Sequence, residues 1–450
     1  MKPSSHRAGE LGFDRSRVSP NAFSVVQRLQ EAGHDGYLVG GCVRDLLIGR
    51  QPKDFDVATD ASPERISALF GRSRIIGRRF RLVHVTFGRG YNREIIEVAT
   101  YRAPPENSSG RKPGGRPVRS RRGRILDDNV FGTIDADAVR RDFTVNALYY
   151  DPVGETVLDF VRGIEDARRR TLKIIGNPEQ RFKEDPVRML RLVRFKAKLR
   201  LKIDPHSARK ISQCAGLIDD VPGARLFDEV FKLFHQGTAV EAWKQLNQTP
   251  LAGRLFPQTV ECLEDGEPGH RFGALVEAAL GNTDSRVRSG FPVIPGFLLA
   301  VILWHPFKTE WKRSGKGRMN RGDGFHLAAT RVFERQSRSI AIPYRVRHIA
   351  IEIWKFQQWL EDRNPRSIVR LMEQRRFRAA FDFLVLRQAT AEVSPEVAEW
   401  WTEIQESDRH QRRRMIQCLP APSGRKSGGG KPHKTRCRPS CGRGEHNKIR

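Results

Sequence analysis

The stretch from Gly36 to Thr59 constrains this chain more than any other. Tyr37-Leu38-Val39 is an apolar run of strand length, Gly40-Gly41 a turn without side chains, and Val43 to Ile48 a short helix that Gly49 to Pro52 ends. Asp54-Phe55-Asp56-Val57 returns as a second strand. Side chains alternate across a strand, so Asp54 and Asp56 share one face while Phe55 and Val57 pack on the other. Two neighbouring carboxylates repel unless something positive lies between them. A hard divalent cation with oxygen ligands is the usual solution, and Mg²⁺ keeps its remaining sites for waters and substrate phosphates. The Gly40-Gly41 turn lets backbone N–H groups approach a triphosphate whose charge Arg44 can meet. A lone Asp-x-Asp is common on solvated strand edges, and a lone Gly-Gly is usually just a turn. The whole string in this order describes a metal-dependent phosphoryl-transfer site.

With 450 residues the chain can bury a large core divided among two to four domains. No apolar run reaches the roughly 18 residues of a membrane span, so no stable membrane insertion is expected. The polar segment Met1 to Pro20 lacks the apolar centre of a signal peptide. Six scattered cysteines are simplest as reduced thiols, which suits a cytoplasmic protein. The 81 Lys and Arg against 52 Asp and Glu leave a net charge of +29, which suggests a polyanionic partner. No basic amphipathic helix with aromatic anchors favours a membrane surface, so nucleic acid is the expected partner.

Along the chain, residues 1–19 are expected to form a flexible arm, and Asn21 to Ala32 a helix. Ser62-Pro63-Glu64 caps a second helix running through Phe70. Arg81 to Phe87 and Glu94 to Tyr101 alternate as strands. Glu97 on the latter is either a third carboxylate of the metal site or a solvated strand residue. Residues 103–124 form a basic, Gly/Pro/Ser-rich loop. Val139-Arg140-Arg141-Asp142-Phe143-Thr144-Val145-Asn146 is expected to start a helix. There an arginine can fork onto a phosphate, and Asp142 can accept from a ribose hydroxyl or help fix the metal. A surface Arg–Asp cluster is the plain alternative. In Glu184-Asp185-Pro186-Val187-Arg188, Pro186 breaks a helix, and Arg188, Arg191 and Arg194 follow on one stripe. Taken alone, that stripe is a solvated basic face. The remainder is helical, its tryptophans at core spacing. Lys312 to Arg321 is a second basic loop, and the chain beyond Pro420 is a disordered basic tail for RNA. His433, Cys437, Cys441 and His446 do not match a common zinc module.

Leu38-Val39-Gly40-Gly41-Cys42-Val43-Arg44-Asp45-Leu46-Leu47 followed by Lys53-Asp54-Phe55-Asp56 resembles the tRNA nucleotidyltransferase/poly(A) polymerase family. Cys42 departs from the small residue usual there. The resemblance implies that Asp54 and Asp56 bind catalytic Mg²⁺ (two ions, Mn²⁺ as a substitute), with Glu97 a candidate third ligand. It implies that Arg-Arg-Asp-Phe-Thr-x-Asn-Ala lies against the nucleotide, with Arg141 binding ATP and Asp142 catalytic. It also implies that Asp185 and Arg188 of Glu-Asp-x-x-Arg read the incoming base. Gly40, Gly41, Arg44 and Arg191 complete the ATP-binding set. The implied fold is α+β: a catalytic head with a small mixed β-sheet over 20–176, a helical neck over 177–245, a helical body over 246–405, and a basic disordered tail over 406–450. The segment from Ile76 to Leu82, the loop at 103–124 and the tail look like the poly(A) polymerase branch. The expected activity is transfer of AMP from ATP to an RNA 3′-hydroxyl, promoting RNA turnover, with RNA and RNA-decay proteins as partners. A CCA-adding tRNA nucleotidyltransferase is one alternative, and a non-catalytic RNA-binding protein on this fold is another.

Overall fold

The computed structural model describes residues 2–77, 81–103, 131–314 and 321–419. Most of the 103–124 loop, part of the 76–82 segment, Leu126 to Val130, most of the Lys312 to Arg321 loop and the tail beyond Pro420 lie outside the described residues. The four residues of the zinc question lie there too.

The N-terminal part is built on a mixed sheet of eight strands: β1 (Ser4–Arg7), β2 (Tyr37–Val39), β3 (Asp56–Thr59), β4 (Ser73–Ile76), β5 (Leu82–Phe87), β6 (Glu94–Thr100), β7 (Leu148–Asp151) and β8 (Thr156–Asp159). Their order is β1-β8-β7-β2-β3-β6-β5-β4, antiparallel except for the β3–β6 pair. Alternation sends Leu38, Val57, Val83, Val85, Ile96, Val98, Leu148, Tyr150 and Val157 to one face, where helices α1 (Pro20–Glu31) and α3 (Pro63–Leu69) cover them. Helix α3 opens as its Ser-Pro-Glu start implies, and α1 opens the same way, one residue before the expected Asn21. Ser19 accepts from the Ala22 N–H and Ser62 from the Arg65 N–H, each with Pro at the first helical position. The opposite face carries a smaller cluster of Val39, Ala58, Tyr101, Ala138, Tyr149 and Phe160. It stays partly open, and the charged groups stand there.

Residues 4–7 correct the flexible-arm expectation. They pair with β8 from Ser4↔Asp159 to Arg7↔Thr156, and Ala8 and Val18 are buried behind them. Ser-Ser-His-Arg has no apolar alternation, because an edge strand can be held by main-chain bonds alone. A second departure concerns Asp54, which lies in a bend before β3 rather than on the strand. Strand β2 ends at Val39, where Gly40 turns away with φ +81° into helix α2 (Gly41–Leu47), so on the β2 side the ladder stops at Asp56. A third concerns Arg140-Arg141-Asp142, which ends helix α4 (Ile134–Arg140) rather than starting one.

After helix α5 (Gly163–Arg168), the chain is mainly helical, with α6 (Pro178–Glu184) and α7 (Val187–Leu199) meeting at the Asp185-Pro186 break. A core runs continuously from Phe143 and Ile174 through Met189, Leu190 and Val193 to Phe307 and Trp354. Trp354 is fully buried, stacked on Phe307 at 4.3 Å, and its indole donates to the Ala300 carbonyl at 2.8 Å. Burying each such side chain contributes roughly 1.5–3 kcal/mol, and the tryptophans therefore pack cores rather than bases. No described helix is long and apolar enough to cross a membrane.

Candidate active site

Asp56 opens β3, paired with Val39 on β2 and with Glu97 on β6. Residues paired across neighbouring strands point to the same face, so Asp56 and Glu97 stand side by side on the open one. Asp56 keeps a solvent-facing edge, yet the surrounding walls strip water from its carboxyl. That burial and the Glu97 charge push it up to about 6; Arg141 pulls it back, and Asp54 adds to the rise. Glu97 also shares a hydrogen with His84 Nε2 at 3.2 Å, and its side chain is 50% exposed. Among the described residues, no three His, Cys, Asp or Glu side chains form a ready metal cage. The oxygen donors form an open edge instead, which suits a cation that keeps water and phosphate ligands.

Gly40 and Gly41 bring the backbone to this edge. A Cβ on Gly40 would lie 3.5 Å from Arg141 Nη1 and 4.0 Å from Asp56 Oδ2, which places the turn, the guanidinium and the carboxylate together. With φ +81° and ψ −125°, an L side chain there is strained. Gly40→Ala is therefore expected to cost about 1–3 kcal/mol in chemical denaturation and to depress nucleotide transfer. Unchanged stability and activity would mean that the turn tolerates a side chain.

Arg141 is itself gripped. Its Nη2 and Nε donate to Asp137 Oδ2 at 2.8 and 3.0 Å, Nε also reaches the Tyr149 hydroxyl at 3.1 Å, and that hydroxyl donates to Asp137 at 2.7 Å. Burial opposes the Arg141 charge, but Tyr149 and Asp137 more than restore it. Arg44 is buried and held within the fold. Its Nε and Nη2 fork onto Asp45 at 3.0 and 2.8 Å, Nη1 donates to Asn146 Oδ1 at 2.5 Å, and the guanidinium lies 5.5 Å over the Phe195 ring of α7. Cys42 is buried, its Sγ donating to the Val39 carbonyl at 3.3 Å. Burial and nearby Asp56 push its thiol up to about 12, so it is inert.

The second motif faces the neck. Asp142 accepts from Arg188 Nε at 2.7 Å and from Arg191 Nη1. Burial opposes ionisation of Asp142, yet Arg191 and then Arg188 hold its carboxyl well below the usual carboxylate range. Arg188 also donates to the Arg181 carbonyl at 2.8 Å and to Glu184 at 3.1 Å. Arg181 donates to the carbonyls of Arg140 and of Arg141, the latter at 2.7 Å, so it clamps the motif's backbone. Burial and neighbouring Arg188 draw Arg181 down to about 10. Arg194 pairs with Glu229 at 3.4 Å. The stripe of Arg188, Arg191 and Arg194 is therefore an internal seam rather than a solvated face. Asp185 sits beside it, its Oδ2 accepting from Arg225 Nη2 at 2.7 Å.

The structure thus gathers Gly40, Gly41, Asp56, Glu97 and Arg141 at one edge, with Arg44 beneath and Asp54 in the adjoining bend. Asp142, Arg188 and Arg191 form one ion-paired joint, next to Asp185. Sequence reasoning missed Asp137, Tyr149, Asn146, Arg181 and Arg225. Asp137 was legible as the residue four before Arg141 on one helix face. Arg225 had no local signal.

A sequence comparison decides the family. Poly(A) polymerase I of Salmonella typhi is 42% identical over 423 residues, spanning 92% of this chain and 89% of that protein. This chain belongs to the bacterial poly(A) polymerase family. Poly(A) polymerase I of Haemophilus influenzae is 41% identical over 91% of this chain and 90% of that protein. Sequence models of the family match as "Poly A polymerase head domain" over 36–173, "Probable RNA and SrmB- binding site of polymerase A" over 200–263 and "Polymerase A arginine-rich C-terminus" over 317–440. A CCA-adding enzyme of Lactobacillus delbrueckii is a more distant relative, 33% identical over 66% of this chain and 69% of that protein. Among solved structures, a CCA-adding enzyme in an apo form shares the fold at TM-score 0.58 and 18% identity, covering 94% of this chain and 92% of that one. The Thermotoga maritima CCA-adding enzyme complexed with tRNA gives 0.54 and 18% with the same coverage. As a member of the poly(A) polymerase family, the chain is a nucleotidyltransferase of α+β fold.

Proposed function

We propose that this enzyme adds AMP from ATP to RNA 3′-hydroxyl groups without a template, releasing pyrophosphate, and that it acts on cytoplasmic transcripts bound for turnover. The observation that carries this reading is the pairing of Asp56 with Glu97 on the open sheet edge, beside Gly40 and Arg141. Asp54 and Asp56 would hold the catalytic Mg²⁺ ions, for which Mn²⁺ would substitute, with Glu97 as the third ligand. The donor set is all oxygen and carries the negative charge a hard cation requires. When bound, the ions supply the positive charge that acidifies the attacking hydroxyl and steadies the leaving pyrophosphate.

The chain's own residues do the rest. The Gly40-Gly41 backbone admits the triphosphate closely, and Arg141, fixed by Asp137 and Tyr149, meets its charge. Asp185 faces the base, while Asp142, locked to Arg188 and Arg191, holds the neck helix against the catalytic sheet. These roles fit a division into a head over 20–176, to whose sheet β1 adds an edge strand, a neck over 177–245 and a body over 246–405. The net charge of +29 suits RNA as the polymeric partner, and RNA-decay proteins are the expected associates.

The deciding experiment is primer extension with purified protein, Mg²⁺ and each NTP in turn. One primer is an unstructured RNA and the other a tRNA lacking its 3′ end. Long ATP-dependent tails on the plain RNA are expected. Addition limited to C, C and A on the tRNA would move the chain to the CCA-adding branch, whose relative it also is. No incorporation on either primer would leave only RNA binding.

A further inference from the structure

A groove of about 760 Å³ opens on the helical body, lined by none of the residues of the site above. It runs between the end of the helix Gly266–Arg288, the connector to Pro295–Ile302, and the helices Phe377–Ala389 and Pro395–Glu406. Apolar side chains line it, among them Val293, Ile294, Ala379 and Val385. Ile294 is 38% exposed and Val385 37%, and neighbouring Phe291 is 60% exposed. Exposed apolar side chains that cluster, rather than scatter singly, mark an interaction surface. The charged groups around them are four arginines, Arg286, Arg375, Arg376 and Arg378, against two acids, Asp382 and Glu406. Arg376 turns to Glu352 at 3.1 Å and Arg378 to Asp382 at 3.0 Å. Arg375 is exposed, with no acid paired to it among the described residues. The groove thus joins an apolar surface to an excess of positive charge.

We propose that this groove docks an acidic amphipathic helix of a partner protein, its apolar stripe on Ile294 and Val385 and its carboxylates on Arg375 and Arg378. Helix-in-groove recognition sets apolar anchors at i, i+3, i+4 and i+7 against an apolar groove. A rim of opposite charge then selects the partner and speeds the encounter. Both parts are present here. The surface lies outside the nucleotidyl-transfer site, and the proposal does not rest on that reading.

Two other occupants fit less well. Single-stranded RNA would satisfy the arginines, but it also holds to protein by stacking its bases on aromatic faces. Here those faces are taken. Arg286 lies over Phe291 at 5.8 Å and Arg378 over Phe381 at 5.7 Å, and Phe381 is 7% exposed. What stays open is aliphatic, Ile294 and Val385, which packs best against apolar side chains. The chain's own segment beyond Pro420 is opposed by charge, since it holds one acid, Glu445, among many Lys and Arg. The groove is also fixed before a partner arrives. Arg286 Nε and Nη2 donate to the Pro292 carbonyl at 3.4 and 3.3 Å, which pins the connector carrying Ile294 to the helix before it. A preformed surface spares the partner the cost of ordering it.

The test uses the full-length protein and a fluorescein-labelled peptide of about five helical turns, with Leu at i, i+3, i+4 and i+7 and Glu elsewhere. Anisotropy at physiological ionic strength is expected to show saturable binding tighter than about 100 μM. The same peptide with Lys in place of Glu should not bind. Val385→Asp and Arg375→Glu should each weaken binding by about tenfold or more, while melting temperature and primer extension match the wild type. If Val385→Asp fails to fold, Arg375→Glu carries the test, since it alters an exposed side chain without an acid partner. An excess of oligo(A) should leave the peptide bound. Absence of binding by the acidic peptide overturns the proposal. So does binding unchanged in either variant, which would place the peptide on another basic surface. Displacement by oligo(A), with both variants weakened toward RNA by the same factor, would make RNA the occupant and overturns it as well.

Discussion

Asp56→Ala is expected to lower AMP transfer by about a hundredfold to a thousandfold, the scale seen when a key electrostatic group is removed from an active site. The variant should nevertheless remain folded. Asp56 stands at the open end of β3 with Glu97 beside it and Asp54 in the adjoining bend, and both neighbouring charges repel its own. Removing it takes away repulsion and no buried packing, because the apolar support of this strand comes from Val57 on the other face. Melting should therefore occur at the wild-type temperature or above it. A second readout separates chemistry from folding. A cation that binds only the folded chain stabilises it by mass action, so added Mg²⁺ should raise the melting temperature of the wild type and have a much smaller effect on Asp56→Ala. Transfer retained within tenfold of wild type would remove Asp56 from the site. Loss of activity with a collapsed melting transition would make its role structural.

That separation follows from where the charges lie, and it also explains which features were visible in the chain. The Gly40-Gly41 turn and the carboxylates around β3 are local. A strand, a turn and a short helix in immediate succession place them within one stretch, so their convergence could be read from spacing. Helices α1 and α3 were legible for the same reason, α1 from its apolar spacing and α3 from Ser62, which satisfies an N–H group only three residues away.

The errors share the opposite cause. Arg188, Arg191 and Arg194 look like a solvated stripe because their acids are remote: Asp142 lies 46 residues before Arg188, and Glu229 lies 35 after Arg194. No periodicity reports a partner on another element. Ser4–Arg7 escaped notice because an edge strand needs only backbone groups and a neighbour, here Thr156–Asp159. Asp54 falls off the strand because β2 stops two residues short of the position that would pair with it. Arg225 belongs to the same class as the arginine seam, a side chain whose meaning appears only when a distant helix is laid against Asp185.

Asp142→Ala should be the most destabilising single change in the charged joint, by about 3–5 kcal/mol at neutral pH. Asp142 joins the catalytic part to α7 through Arg188 Nε at 2.7 Å and Arg191. Arg188 is 7% exposed, so its charge has little recourse to water once the carboxylate is gone. Glu184, at 3.1 Å, and nearby Asp185 would remain to compensate it in part, while Arg181 adds a further positive charge nearby. The loss would appear as a lower urea midpoint, with transfer activity falling alongside because Asp185 lies three residues before Arg188 of the same seam.

The pH dependence has a definite sign. Arg191 and Arg188 hold the folded-state carboxyl of Asp142 below its unfolded value of about 3.9. Its stabilisation is thus complete above that value and is lost as the pH falls toward and through the folded-state value. The stability gap between wild type and Asp142→Ala should stay constant from pH 5 to 7 and narrow below about pH 4. A gap under about 1 kcal/mol at pH 7, or one that widens in acid, would show that the two arginines find adequate partners without Asp142. The joint would then be a solvated contact after all.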